Sequence, residues 1–522
     1  MGGRSVISCV SLERPGKWRT VGIVLVFLAV MLPVLPLLWH VVASTDGFSW
    51  SLSGGFGGAL GNSVLVALAV CAVAFLFGLP VGVLAAFYEF PGRKTLLAFS
   101  TLPLLVPSVL WAIGWSGLVA RFGPAATGFI SGVRGCIIVF SATTFPLVLL
   151  MSYAACIALS GSQVDAARLA GGERSVLRYA TKYAATPALL AAGLGGVLTL
   201  SDPGPGQILG LRTAASEIMT SFSALYDFGL AAQQCMALTV VVLLFALPLA
   251  YFAGPRIASS MLARQTRGLR RARQQKMAVV TMAALIVFVL VAVITPILGL
   301  TLPLQNGESF SRALSELNRT VGDTVLYAIG AGVIAASLGF LLAFLVGRQN
   351  RLRTVTLGGA FAVFSLPPAL SALGFVYLGA DAPAWADPIL RSRITVCLAL
   401  GLRFFPVATV LGMRAWGSAS ASWALAAGIH GVPLVTYLRK VALPYMLPAA
   451  AVAILLAALL ATADIGTVLL LHPPGAASLP LAIFTVMANA PESLVASLCL
   501  VYMVMSAGLV AIMWARAGGQ IT

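Results

Sequence analysis

Apolar runs of about 18 or more residues, nearly free of charge, recur along this chain from Val21 to Trp514. Each is long enough to cross about 30 Å of hydrocarbon as a helix, and a bilayer core tolerates little else because it offers no water to unpaired backbone groups. Charged residues make up 9% of the chain, against about 25% in an ordinary soluble domain. The expected fold class is therefore an all-α polytopic membrane protein. Twelve spans are read at roughly 21–43, 63–87, 95–119, 136–158, 186–207, 229–252, 277–300, 324–346, 355–377, 394–415, 448–470 and 494–515. A net charge of +17 would suggest nucleic acid in a soluble chain. In a polytopic one it collects in cytoplasmic loops and fixes orientation. An inside N-terminus puts 24 of the 32 Lys and Arg on the cytoplasmic side, leaves both termini cytoplasmic, and removes any need for nucleic acid.

The chain also repeats itself. Asp165-Ala166-Ala167-Arg168-Leu169-Ala170-Gly171 and Leu425-Ala426-Ala427-Gly428-Ile429-His430-Gly431 lie between long apolar segments, each following a Phe-Pro pair (Phe145-Pro146, Phe405-Pro406), at an offset of 260 residues. Asn62-Ser63-Val64-Leu65 answers to Asp323-Thr324-Val325-Leu326, Pro107 to Pro368, and Asp202-x-Gly204 to Asp464-x-Gly466. Six spans per half is an even number, so both halves share one orientation, a parallel repeat. The expected boundaries are a first half over 1–252, a basic linker over 253–276 and a second half over 277–522.

Within each half the punctuation is informative. Pro103 and Pro107 should kink the third span. The segment from Ser162 to Lys182 is too polar to span and too periodic to be a loop, with Arg174, Arg178 and Lys182 at four-residue spacing. It is read as a cytoplasmic helix over about 162–182, matched by a second over about 422–441. Ser201-Asp202-Pro203-Gly204-Pro205-Gly206 cannot continue a regular helix. Asp202 and Asp464 are the acids nearest the membrane interior, where an ionised group is costly. They read equally as pathway-lining carboxylates, with Gly204 and Gly466 beside them, or as helix-end caps. Arg403 sits deep in its span and should face the bundle interior, as a partner for Asp464 or a solute contact. Seven scattered cysteines lack metal-ligand spacing and read as packing, and His40, His430 and His472 are isolated; no metal site is expected. Arg14, Lys17 and Arg19 before the first span, with Val41-Val42-Ala43 after it, imitate a signal peptide, but the length of the run favours an uncleaved anchor.

The repeated stretch resembles the "EAA" coupling motif of ABC importer permeases, in which Glu-Ala-Ala, three residues and Gly, with a later Leu-Pro, form a helix that docks into an ATPase. The second copy matches through Ala426, Ala427, Gly431 and Val441-Ala442-Leu443-Pro444, with Leu425 where Glu is usual. The first matches through Asp165, Ala166, Ala167 and Gly171, followed by Arg168-bearing basic sequence, and Ala184 stands in the proline's place. Two such cores fused in one chain, each with an added first span, resemble the ferric-iron and thiamine permeases of binding-protein-dependent type I importers. The resemblance implies a translocation subunit rather than an enzyme. Its partners would be two copies of a cytoplasmic ABC ATPase that carry ATP and Mg, and a periplasmic solute-binding protein, in a bacterial inner membrane. The solute it suggests first is ferric iron, with thiamine, a polyamine or a phosphonate as alternatives. The chain itself is expected to hold no cofactor: it has no phosphate loop, and Gly92-Arg93-Lys94-Thr95 lacks the first glycine of one. The alternative class is an ion-driven secondary transporter, since some of those also join two parallel six-span halves.

Overall fold

A computed structural model describes residues 17–43, 55–262, 275–304, 307–380, 382–487 and 489–521. The N-terminal tail with Cys9 lies outside them, as do residues 44–54 and the 263–274 part of the expected linker with Arg264, Arg267, Arg270, Arg271 and Arg273. Among the described residues the regular elements are helices and none is a strand. In order they are α1 (Lys17–Met31), α2 (Val34–Ala43), α3 (Phe56–Phe87), α4 (Arg93–Leu105), α5 (Ser108–Val119), α6 (Pro124–Ile130), α7 (Gly132–Ile157), α8 (Gly161–Leu200), α9 (Gly204–Ile208), α10 (Ala214–Ser223) and α11 (Phe228–Leu262). There follow α12 (Gln275–Val289), α13 (Thr295–Thr301), α14 (Gly307–Val346), α15 (Asn350–Ser365), α16 (Pro368–Ala380), α17 (Asp387–Leu390), α18 (Arg393–Ser418), α19 (Ala421–Ile429), α20 (Leu434–Tyr437), α21 (Leu443–Thr462), α22 (Ile465–Leu471), α23 (Leu479–Val486) and α24 (Glu492–Ile521).

Nine helices among the described residues are long and apolar enough to cross a membrane, or twelve spans if three bent pairs each make one more. The chain is thus a multi-pass membrane protein. The bent pairs are α1 with α2 at 61°, α4 with α5 at 99° and α15 with α16 at 80°. Proline makes each bend, because it disfavours helical geometry in the residue before it and supplies no N–H. Pro33 lies between α1 and α2, Pro107 caps α5, and Pro367 precedes α16, while Pro103 stays inside α4. The structural counterpart of Pro107 is therefore Pro367, not Pro368; Pro368 occupies the place of Ser108.

From α3 onward the succession of elements recurs in the second part of the chain. The 99° and 80° bends fall 260 residues apart, and α7 answers to α18 in length, 26 residues each. The short motif around Asn62 also does equivalent chemistry twice. The Ala214 N–H, opening α10, donates to Ser63 Oγ at 2.9 Å, and the Leu479 N–H, opening α23, donates to Thr324 Oγ1 at 2.8 Å. Each hydroxyl satisfies one of the free donors at a helix start.

The opening helices pack mainly across the chain rather than on the helices that follow them. α1 and α2 lie against α14 and α16, while α12 and α13 lie against α3, α4 and α5. The contacts mirror one another residue by residue. Phe27 of α1 meets Phe405 edge-on with ring centroids 6.2 Å apart, and Phe288 of α12 stacks on Phe145 at 4.0 Å. Both partners are the phenylalanines of the repeated Phe-Pro pairs. A Cβ on Gly374 would stand 2.2 Å from the Pro33 carbonyl oxygen, and one on Gly114 2.4 Å from that of Pro296. Glycine is required at both places because two backbones touch there. α11 also crosses to pack on α15. The expected division at residue 252 thus separates segments in sequence that are interleaved in space.

Candidate functional site

Two constellations stand out. The first is the repeated Ala-Ala-Gly stretch, which forms a helix, a turn and a longer helix in each copy. In the first, Ser160 caps the start in a reciprocal box, its Oγ accepting from the Gln163 N–H while Gln163 Oε1 accepts from the Ser160 N–H, both at 3.3 Å. The helix runs to Ala170 and breaks at Gly171-Gly172, where Gly172 has φ +64° and ψ −160°, a region almost confined to glycine. The expected helix over 162–182 is therefore two helices. Arg174, Arg178 and Lys182 ride on the one that continues to Leu200, because the glycine pair ends the first after ten residues.

In the second copy α19 ends at Ile429, Gly431 takes φ +64°, and the chain resumes through α20, a π-helical turn (Leu438–Ala442) and α21. The expected helix over 422–441 is likewise divided. The π turn lies just before Pro444, whose missing N–H breaks the regular ladder; no counterpart exists in α8, where Ala184 stands in the proline's place.

Positions 161–170 and 421–430 show the same sequence of buried, half-buried and exposed residues throughout. Val164 and Ala424 point inward, and Asp165, Ala166, Leu169 and Ala170 face outward as do Leu425, Ala426, Ile429 and His430. The means of support differ. Arg168 Nε donates to Glu173 Oε1 at 2.7 Å, and its Nη1 reaches Asp165 Oδ1 at 3.4 Å, so the first helix is tied by charge to the start of the next. Tyr88 OH donates to Glu173 Oε2 at 3.4 Å. Burial, and then the neighbouring Glu173 carboxylate, push the Tyr88 phenol up to about 12. Ala167 is half-buried. The second helix has no such ion pair; Ala424 and Ala427 pack with Phe344, Trp416, Val432, Tyr437 and Ala442 in an apolar cluster.

The second constellation is the pair of Asp-x-Gly breaks. After Leu200 the chain leaves its helix, and Asp202 accepts from the Gly204 N–H at 2.9 Å and from Ser108 Oγ at 2.5 Å. Asp464 caps α22, accepting from the Thr467 N–H at 2.9 Å and from Thr467 Oγ1 at 3.0 Å. The Arg403 guanidinium lies against it, Nε to Oδ2 2.8 Å, with the N–H turned off the line to the oxygen. Both side chains of this pair are largely buried. The pairing of Arg403 with Asp464 and the capping role read from the sequence are both present.

The two breaks are neighbours. Asp202 lies within electrostatic reach of Asp464 and Arg403, and a Cβ on Gly466 would meet Met219 of α10 at 3.3 Å and Pro368 at 3.6 Å. Gly204 in turn packs on Val109 and Ser108. The structure thus brings Asp202, Gly204, Arg403, Asp464 and Gly466 to one region where both parts of the chain meet. It keeps Asp165, Ala166, Ala167, Arg168 and Gly171 in one repeated feature and Ala426, Ala427 and Gly431 in its counterpart. Sequence reasoning missed Ser108, Thr467, Glu173 and Tyr88. Ser108 and Thr467 carried a weak signal, a hydroxyl beside a break; Tyr88 and Glu173 are 85 positions apart and carried none.

No protein-family model matches the chain, and no curated protein matches it in sequence.

Proposed function

We propose that this chain is the translocation subunit of a type I ABC importer, two permease cores fused in one parallel repeat. Both termini and both Ala-Ala-Gly helices are cytoplasmic, in the inner membrane of a bacterium. Two copies of a separate ATPase, holding ATP and Mg, dock on the two helices, and a periplasmic binding protein delivers solute. Ferric iron is the first candidate solute, with thiamine, a polyamine and a phosphonate behind it. The chain performs no chemistry and holds no cofactor of its own.

The observation that carries this reading is the shared ten-position exposure pattern of 161–170 and 421–430. Two surfaces presented alike, on helices of unlike sequence, suit two equivalent sockets on a partner. The physical link from socket to pathway supports the same reading. In each copy the exposed helix turns through a glycine into a longer helix that ends at an Asp-x-Gly break. The segment from Glu173 to Leu200 spans roughly 42 Å at 1.5 Å per residue, so tilting its docked end displaces the region of Asp202. Alternating access follows when the two ATPases close and open together: the two long helices rock as a pair, and the central region opens first to the binding protein and then to the cytoplasm.

The test is solute-stimulated ATP hydrolysis by the reconstituted chain with its ATPase and binding protein, across the four solutes. Stimulation by one solute, abolished by Ala166→Asp with Ala426→Asp, is expected. Transport that follows a proton gradient without any ATPase association would overturn the reading in favour of a secondary transporter.

A further inference from the structure

The two cytoplasmic helices share an exposure pattern but not a chemistry. At corresponding outward positions the first presents Gln163, Asp165 and Leu169, and the second Trp423, Leu425 and Ile429. Leu169 and Ile429 are both bare, 91% and 82% exposed. Asp165, its side chain 68% exposed, is answered by Leu425 at 42%, while Trp423 lies on the other flank of its helix, edge-on to Tyr445 at 5.1 Å. One face therefore pairs a leucine with a carboxylate, and the other pairs two large aliphatic side chains one turn apart. Exposed Arg439 and Lys440 follow the second helix in sequence, as exposed Arg174, Arg178 and Lys182 follow the first.

Resting on the reading above, we infer that the two docking points are unequal. The second helix is the tight, salt-resistant anchor for the ATPase, and the first is the weaker, salt-sensitive one. The occupant is the same in both cases, a cleft with an apolar floor and an acidic rim that complements the flanking Arg and Lys. Two large aliphatic side chains, Leu425 and Ile429, enter the floor from the second helix, where Leu169 alone does from the first. Large buried anchors dominate interface energy, and rim charges contribute less and are screened by salt. The internal supports point the same way. The first helix is held to its own span by the Arg168–Glu173 ion pair, which salt weakens, and the second by the apolar cluster beneath Ala424, which salt leaves intact.

The experiment uses the full chain in nanodiscs and the ATPase that co-isolates with it, titrated without nucleotide at low and high salt, with bound copies counted by native mass spectrometry. Two affinity classes are expected at low salt and one retained ATPase per chain at high salt. Leu425→Asp should weaken the tight class by at least about tenfold and leave the salt-sensitive class in place. Because that variant could disturb folding, Asp165→Leu supplies a gain: it should tighten the weak class and make it salt-resistant, which misfolding cannot mimic. Two equal classes in the unaltered chain, or no gain with Asp165→Leu, would overturn the inequality while leaving the importer reading standing. Absence of ATPase binding to the unaltered chain would overturn both. ATPase binding indifferent to Leu425→Asp, with Trp423 emission shifted by lipid, would assign the apolar pair to the membrane surface and also overturn the inference.

Discussion

Asp202 and Asp464 open the same backbone break, 262 residues apart, and keep different company. Asp202 takes a hydroxyl from Ser108 and a backbone N–H from Gly204; Asp464 takes both groups from Thr467 and a guanidinium from Arg403. Two substitutions between the halves account for this. Pro368 stands where Ser108 stands, so the second half has no hydroxyl at that position. Thr143 stands two positions before Phe145, where Arg403 stands before Phe405. The repeated backbone fixes where a carboxylate sits near the centre, and side chains off the motif decide how its charge is met. Asp464 has a cation in contact, and Asp202 relies on dipoles.

The sharpest way to break the comparison is Arg403→Leu. Removing one member of a buried pair strands the other, at about 3–5 kcal/mol, because Asp464 then keeps its charge in a poorly hydrated place. Thermal unfolding in detergent should show a large loss. Adding Asp464→Asn should recover most of it, since the neutral amide can still accept from the Thr467 N–H. Loss without recovery would mean that Arg403 acts by packing against Phe404, over whose ring its guanidinium carbon lies at 5.6 Å.

The same contrast explains what was legible in the sequence. Spans were readable because a bilayer demands long apolar helices, and the repeat was readable because Phe-Pro, Asp-x-Gly and Ala-Ala-Gly recur at one spacing. The exchange of opening helices was not, because apolar residues such as Phe27 and Phe288 suit either half equally and only three-dimensional complementarity selects Phe405 and Phe145. The helix limits at the repeated stretch failed for a smaller reason. Arg174, Arg178 and Lys182 continue a helical period across Gly171-Gly172, so periodicity alone hides a break that glycine geometry makes.

Gly114→Ala and Gly374→Ala test the exchange from both sides. The added methyl would press on the Pro296 or Pro33 carbonyl in sites too tight for any Cβ, so each should cost about 1–3 kcal/mol. The two should be alike, in contrast to the unequal aspartates; a marked difference in unfolding temperature would show that one opening segment contributes much less than the other. Ser108→Ala comes next. It removes a 2.5 Å hydrogen bond from a half-buried carboxylate, a loss of about 1–2 kcal/mol, while Thr467→Ala, at a fully buried site, should cost at least as much.

The smallest effects on stability belong to the two turns, and they separate the halves once more. Gly172 and Gly431 both have φ +64° and open space where a Cβ would go, so an alanine meets no neighbour and pays only for backbone strain, roughly 1 kcal/mol. At Gly172 the accompanying ψ of −160° lies in a region that side chains avoid more strongly, so Gly172→Ala should be the costlier of the two. Its consequence for function should exceed its consequence for stability. A strained turn re-aims the helix from Gly161 to Ala170 relative to the long helix that follows it, and the Arg168–Glu173 pair that spans the turn would have to stretch. If the chain is the importer subunit proposed above, ATP hydrolysis that continues with reduced solute transport in Gly172→Ala, and to a lesser degree in Gly431→Ala, is the expected result. Unchanged transport in both would mean that the turns carry no motion between the exposed helices and the Asp-x-Gly breaks.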